Sequence, residues 1–358
     1  MKATFPNLGF DTPVIRGFFE DLGAEVVLPP PTSKRTIAMG VDHSPELICM
    51  PFKITLGSLL EALDAGADTV FMAAGARKCR FGYYHFLQKQ ALARTGRPCR
   101  LVPVSQYTPF DFFFRLMPSE FGVSPVRVMR AVGLMIVRSR MTEEFRRLVN
   151  RRRAVDFAGA ERAIGPAREL VERARTLGEI RRARQDLRRM LAVNGAGFGD
   201  PGLRIGLVGE IYMMLEQFAN QDIEKELGRL GVEVLFVRSL HRHLLHLLHV
   251  DPSYRRSRRL ARRYLRSCPG GEALRTVGEA IEFVERGQAD GIVHIFPFTC
   301  MPENIAFEAL QRFSEDSGTP LLSLSFDEHT SRTGLLTRLE AFVDLAARRK
   351  RDRSLSRR

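Results

Sequence analysis

Tryptophan is absent from the 358 residues, cysteine occurs only five times and lysine seven. No run approaches the ~20 apolar residues of a membrane span, which argues against a membrane protein. The opening Met1-Lys2-Ala3-Thr4-Phe5-Pro6 lacks the apolar stretch of a secretory signal, and an odd cysteine count without a paired pattern does not suit a disulfide scaffold. A reducing cytoplasm is the expected compartment, where grouped cysteines serve metal or redox chemistry more often than cross-linking. The chain has no Cys-x-x-Cys pair, and so lacks the usual signature of structural zinc. It has no Gly-x-x-x-x-Gly-Lys-Ser/Thr loop either, and so lacks the phosphate cradle of a P-loop ATPase.

The formal net charge is +14. Residues 138–189 hold sixteen Arg against eight acids, residues 348–358 hold seven basic residues against Asp352, and the remainder of the chain is neutral. The excess therefore belongs to one helical segment and one end. A solvated helical face is the plainer reading of the first, and without Trp or aromatic-basic interleaving no nucleic-acid partner is expected.

What is present is an alternation of short apolar runs and amphipathic stretches. Ala3–Phe5, Ala24–Leu28, Thr69–Ala73 and Leu101–Val104 read as strands, with helices over Pro13–Leu22, Pro51–Ala65 and Tyr83–Arg94. The order returns after residue 200. Strands are expected at Leu203–Val208, Glu233–Val237, Gly291–Phe296 and Leu321–Leu324, and helices at Met214–Leu230, Gly271–Arg286 and Ile305–Ser317. Strands separated by helices predict an α/β fold of two doubly wound parallel-sheet, Rossmann-like lobes. Gly66-Ala67-Asp68-Thr69-Val70 echoes Gln288-Ala289-Asp290-Gly291-Ile292, which points to a duplication. The expected domains are a first lobe over 1–130, a helical Arg-rich connection over 131–200, a second lobe over 201–346 and a basic disordered tail over 347–358.

Three cysteines lie beside Pro, Gly and charge rather than in apolar runs: Cys49 in Ile48-Cys49-Met50-Pro51, Cys79 in Lys78-Cys79-Arg80-Phe81-Gly82, and Cys300 in Thr299-Cys300-Met301-Pro302. Cys79 and Cys300 each follow a predicted parallel strand, where open α/β sheets place ligands, and Cys49 precedes a helix whose positive end lowers a thiolate's pKa. Three thiolates from three loops suit iron-sulfur better than zinc, and a 4Fe-4S cluster so held keeps one iron open to substrate oxygen. The competing reading is three unligated loop thiols.

Other residues carry two readings each. Cys99 reads as a strand thiol, and Cys268, beside Pro269-Gly270-Gly271, as a turn residue or a substitute ligand. Glu210, at a strand end, is a candidate acid/base or a helix cap; Glu46 and Glu303 read as caps; Arg80 and Lys53 would bind a phosphate or balance an anionic cluster. His241, His243, His246 and His249 form a His-rich helix, as ordinary helix histidines or a second metal site. Phe110–Phe114 reads as core or interface.

Together, Ser44-Pro45-Glu46-Leu47-Ile48-Cys49-Met50-Pro51-Phe52-Lys53, Cys79-Arg80-Phe81-Gly82-Tyr83-Tyr84, Gly209-Glu210-Ile211-Tyr212, Pro297-Phe298-Thr299-Cys300-Met301-Pro302-Glu303 and Asp327-Glu328-His329-Thr330 resemble the acyl-CoA dehydratase activase-related proteins. These are relatives of the 2-hydroxyglutaryl-CoA dehydratase D-component. The resemblance spans about residues 1–346 and is weakest over the Arg-rich segment. It implies a 4Fe-4S cluster on Cys49, Cys79 and Cys300, and low-potential electron transfer to a CoA thioester through a ketyl radical. It further implies a separate ATP-hydrolysing activase as partner and a homodimer or paired cluster subunit. The alternative is a non-enzymatic, cluster-containing accessory or scaffold for such a system.

Overall fold

The two sets of apolar runs form two four-stranded, all-parallel sheets in the computed structural model, which describes residues 1–75, 79–105, 108–193 and 201–355. The first sheet comprises β1 (Lys2–Thr4), β2 (Glu25–Val26), β3 (Thr69–Ala74) and β4 (Arg100–Ser105), in the order β2-β1-β3-β4. The second comprises β5 (Leu203–Gly209), β6 (Val232–Leu235), β7 (Gly291–Pro297) and β8 (Leu321–Phe326), in the order β6-β5-β7-β8. β7 is buried at every residue, the pattern of a strand covered on both faces by helices.

The equivalence extends to single hydrogen bonds. The Asp68 carboxylate accepts from the Lys2 backbone N–H at 3.0 Å, and Asp290 accepts from the Arg204 N–H at 2.9 Å. Each aspartate thus ties the start of the lobe's third strand to the start of its first, which gives the repeated Ala-Asp dipeptides the same job.

The helices of the first lobe are α1 (Thr12–Leu22), α2 (Lys34–Asp42), α3 (Met50–Asp64) and α4 (Tyr84–Arg94). Both Cys-Met-Pro tripeptides open a helix. Cys49 is the N-cap of α3, and proline occupies the first turn, where its missing N–H costs nothing. α3 is buried along most of its length because it serves two cores: Phe52, Leu56 and Leu59 pack in the first lobe, while Met50 and Ile54 pack with Leu207, Tyr212 and Phe326 of the second.

The Arg-rich segment forms α5 (Pro125–Val155), α6 (Phe157–Arg173) and α7 (Leu177–Met190). It is more than a solvated face. Arg138, Arg146 and Arg153 are buried, Arg138 pairing with Asp21 of α1 at 2.6 Å and Arg146 with Glu224 beside the second sheet, so α5 straps one lobe to the other. Asn150 donates to the Val234 carbonyl at 3.4 Å and so partners edge strand β6.

Short helices α8 (Ile211–Leu215) and α9 (Ile223–Arg229) replace the single helix expected over Met214–Leu230. The Asn220 side chain accepts from the Ile223 N–H and donates to the Met213 carbonyl, while Gln221 and Asp222 adopt left-handed conformations. Polar side chains here outcompete the helical backbone bonds. Further helices of the second lobe are α10 (Leu240–Leu247), α11 (Pro252–Ala261), α12 (Ala273–Glu285), α13 (Met301–Ser317) and α14 (Arg332–Leu355), and a short helical stretch covers residues 109–121 in the first. α14 carries helix into the residues expected to be a disordered tail.

Asp11, where α1 begins against α5, has its carboxyl pushed up to about 7 by burial, against the pull of Arg146. A raised folded-state pKa favours the neutral acid, so the stability it allows is complete below about pH 4 and is lost as pH rises through about 7. Asp11→Asn should therefore leave the urea midpoint unchanged near pH 4 and raise stability at pH 8 by a few kcal/mol, since each tenfold change in proton affinity is worth about 1.4 kcal/mol. An equal effect at both pH values would refute the assignment.

Candidate functional site

The carboxyl ends of the two sheets face each other across the lobe boundary. Between them lies a cavity of about 370 Å³, lined by Phe5, Ala73, Cys79 and Ser105 at strand ends of the first lobe and by Glu210, Cys300 and Glu303 at strand ends of the second. This is the crevice at which open α/β sheets bind ligands, here built twice and closed face to face.

Cys49, Cys79 and Cys300 share one local geometry. Each is in an extended conformation at the N-cap of a helical turn: Cys49 before α3, Cys79 before the 3-10 turn Arg80–Tyr83, and Cys300 before α13. N-caps ordinarily carry Ser, Thr, Asp or Asn, whose oxygen bonds the first turn, and none of the three thiols makes such a bond. Cys79 crosses the boundary. A Cβ placed on Gly271 of the second lobe would stand 3.9 Å from the Cys79 sulfur and 3.0 Å from the Pro302 ring, two residues beyond Cys300. Cys49 lies just behind the cavity wall, its sulfur 2.5 Å from the Tyr84 hydroxyl.

The expectation that helix ends would lower the thiol pKa values is overturned. Burial pushes the Cys79 thiol up to about 11, with Glu210, Cys49 and Glu303 adding to the shift. Cys300 is raised further by burial and then by Glu303 and Glu210, and Cys49 is raised chiefly by burial. A partial charge at a helix end does not offset desolvation beside two carboxyl groups. The mutual influence of Cys49 on Cys79 and of Cys79 on Cys300 places the three thiols in one electrostatic neighbourhood.

Glu210 caps α8, accepting from the Met213 N–H at 2.9 Å, and burial pushes its carboxyl up to about 7. It reaches the cavity because Gly209, at φ +148°, passes so close to β7 that a Cβ would lie 1.8 Å from the Ile295 carbonyl oxygen. Glu303 does not cap its helix, as the sequence suggested. It is fully buried, 3.0 Å from the His294 ring and accepting from the Thr276 hydroxyl at 3.0 Å. His294 lies in the middle of β7, where the apolar run gave no sign of its role.

Of the remaining candidates, only His243, Phe112 and Phe113 line the cavity. Lys53 is buried in an ion pair with Glu328, joining α3 to the loop after β8, while Arg80 donates to the Leu47 carbonyl at 2.9 Å. Glu46 and Cys268 are exposed, and Cys99 packs at the edge of the first-lobe core. His243 faces the cavity with its pKa pushed down to about 4 by burial, whereas His241 bonds Ser139 and His246 packs at a tilt against the Tyr254 ring. Phe112 and Phe113 line the cavity, and Phe110 stacks with Phe114 on the surface.

Among the described residues no three Cys, His, Asp or Glu donors gather closely enough to hold a single metal ion. One zinc would require each sulfur within about 2.3 Å of a common point. In a multi-iron cluster each cysteine binds a different iron, so its sulfurs stand further apart. Three soft donors drawn from the two lobes suit the second kind of group.

Residues 170–345, which include the second lobe and Cys300, match the 2-hydroxyglutaryl-CoA dehydratase D-component. This match supports the D-component-like family for the chain. Residues 7–74 match the CoA enzyme activase uncharacterised domain, which in this D-component-like chain takes in Cys49 but stops short of Cys79. No curated protein matches the chain. No helix among the described residues is long and apolar enough to cross a membrane.

Proposed function

We propose that this chain is the cluster-bearing component of a 2-hydroxyacyl-CoA dehydratase-like system, with Cys49, Cys79 and Cys300 as ligands of a 4Fe-4S cluster in the interlobe cleft. The observation that carries the reading is the convergence of three uncapped N-cap thiols, from both lobes, on one neighbourhood beside Glu210. When bound, such a cluster supplies low-potential electron transfer and an iron open to substrate oxygen. Glu210, poised near neutrality at the cavity edge, is placed to hold or accept a proton from an acyl substrate. Glu303 is held in place near Cys300 by His294 and Thr276. A separate ATP-hydrolysing activase is its natural electron source, and a second cluster-bearing copy its natural companion.

Iron, acid-labile sulfide and the EPR spectrum of the reduced protein test this under anaerobic conditions. About four irons and four sulfides are expected in the parent, lost in Cys49→Ser, Cys79→Ser and Cys300→Ser but retained in Cys99→Ser and Cys268→Ser. A parent without iron after reconstitution would end the redox reading. An EPR signal that shifts on adding a CoA thioester marks an enzyme component; one that ignores thioesters marks an accessory.

A further inference from the structure

We infer that the cavity takes an apolar acyl chain, and that the substrate class is a thioester whose acyl end carries no charge. The inference rests on the thioester reading above and specifies its acyl part. Beyond the thiols and Glu210, the wall is made by α1, α5, the turn Phe112–Leu116 and α10. Its side chains, among them Ile15, Phe18, Phe112, Met135, Leu240 and Leu244, belong to one hydrophobic cluster. No Lys or Arg among the described residues lines the cavity. Its one histidine, His243, stays neutral at physiological pH. A terminal carboxylate pushed along this wall would meet aromatic and aliphatic carbon and the Glu272 carboxylate, with no Lys or Arg among the described lining residues to pair it. An alkyl or aryl chain meets none of these penalties and removes its own surface from water. The volume is within the range of small-ligand sites, and the apolar length opens directly onto Cys79, Cys300 and Glu210. An acyl chain lying there would present its thioester end to those groups.

Isothermal titration of the reconstituted full-length protein, with straight-chain acyl-CoA esters, tests the inference. Pentanoyl-CoA and glutaryl-CoA differ only in a terminal methyl against a carboxylate, and pentanoyl-CoA should bind more than about tenfold tighter. Along the series, affinity should rise about fourfold per methylene, then level off when the cavity is full. Met135→Trp and Leu244→Phe, each first checked for native melting, should move that plateau to shorter chains and leave propionyl-CoA binding unchanged. Glutaryl-CoA binding as tightly as pentanoyl-CoA would overturn the inference while leaving the thioester reading in place. Indifference to chain length, or an unmoved plateau in both variants, would overturn it as well. Free alkanoates bound with the same length dependence, with no CoA ester bound, would support the apolar site and remove the thioester reading instead.

Discussion

Gly57→Ala is expected to lower the melting temperature by about 2–4 °C and, on the cluster reading proposed above, to weaken iron retention. α2 and α3 cross at two glycines. A Cβ on Gly57 would lie 1.9 Å from the Thr36 carbonyl oxygen and 3.1 Å from the Gly40 nitrogen; a Cβ on Gly40 would lie 1.8 Å from the Lys53 carbonyl oxygen. The atoms met are backbone, so no side chain can turn aside and the helices must part by roughly an ångström or more to restore ordinary contact. Replacing a helical glycine by alanine returns about 1 kcal/mol of propensity, but overpacking at a rigid contact costs about 1–3 kcal/mol or more, and here the steric cost prevails. Parting the helices also moves the start of α3, where Cys49 sits. Gly133→Ala is the control. Gly133 is exposed in the middle of α5 with nothing within 4 Å of its added Cβ, so that variant should gain up to about 1 kcal/mol. Equal melting temperatures for the two variants would dispose of the crossing argument.

Arg238→Met should cost about 3–5 kcal/mol, although methionine fills much of the same space. The Arg238 side chain is wholly buried; it donates to the Gly209 carbonyl, lies 3.2 Å from a Glu279 carboxylate oxygen and donates to the Thr276 hydroxyl at 3.3 Å. Its loss leaves the Gly209 carbonyl without that donor and Glu279 dependent on Arg275. Because Gly209 directly precedes Glu210, the same loss frees the end of β5 and should displace Glu210 as well as weaken the fold. In a double-mutant cycle with Glu279→Gln, the two losses should be less than additive by at least about 1 kcal/mol, since each single change strands the other's partner. Losses that add within about 0.5 kcal/mol would mean the two groups do not act as a pair.

Much of the architecture is legible in the residue pattern. Every predicted strand is present within a few residues of its expected bounds, since short β-branched and aliphatic runs between turn residues have few other uses. The Cys-Met-Pro tripeptides mark helix starts because proline is tolerated in a first turn and not later. The broken helix at Glu216–Asp222 is not legible, because its cause is a set of specific side-chain bonds from Asn220 rather than a change in periodicity. Nor are the inward-facing arginines of α5, since Arg138 and Arg146 are recognised as buried only when Asp21 and Glu224 are seen opposite them. Glu303 reads as a helix cap because its position is visible along the chain and its partner, His294 on the preceding strand, is not.

The sequence by itself determined the repeated strand-helix order, the likeness between the two lobes, and which cysteines stand at turns rather than in apolar runs. These depend on neighbours a few residues apart, and local sterics and hydrophobic periodicity decide them. Tertiary structure alone decided that Cys79 lies beside Gly271 of the other lobe, that burial raises rather than lowers the thiols, and that a largely apolar cavity leads to them. Those outcomes depend on which distant surfaces pack together and how much water they exclude. That is a balance of long-range burial and desolvation that no local pattern encodes.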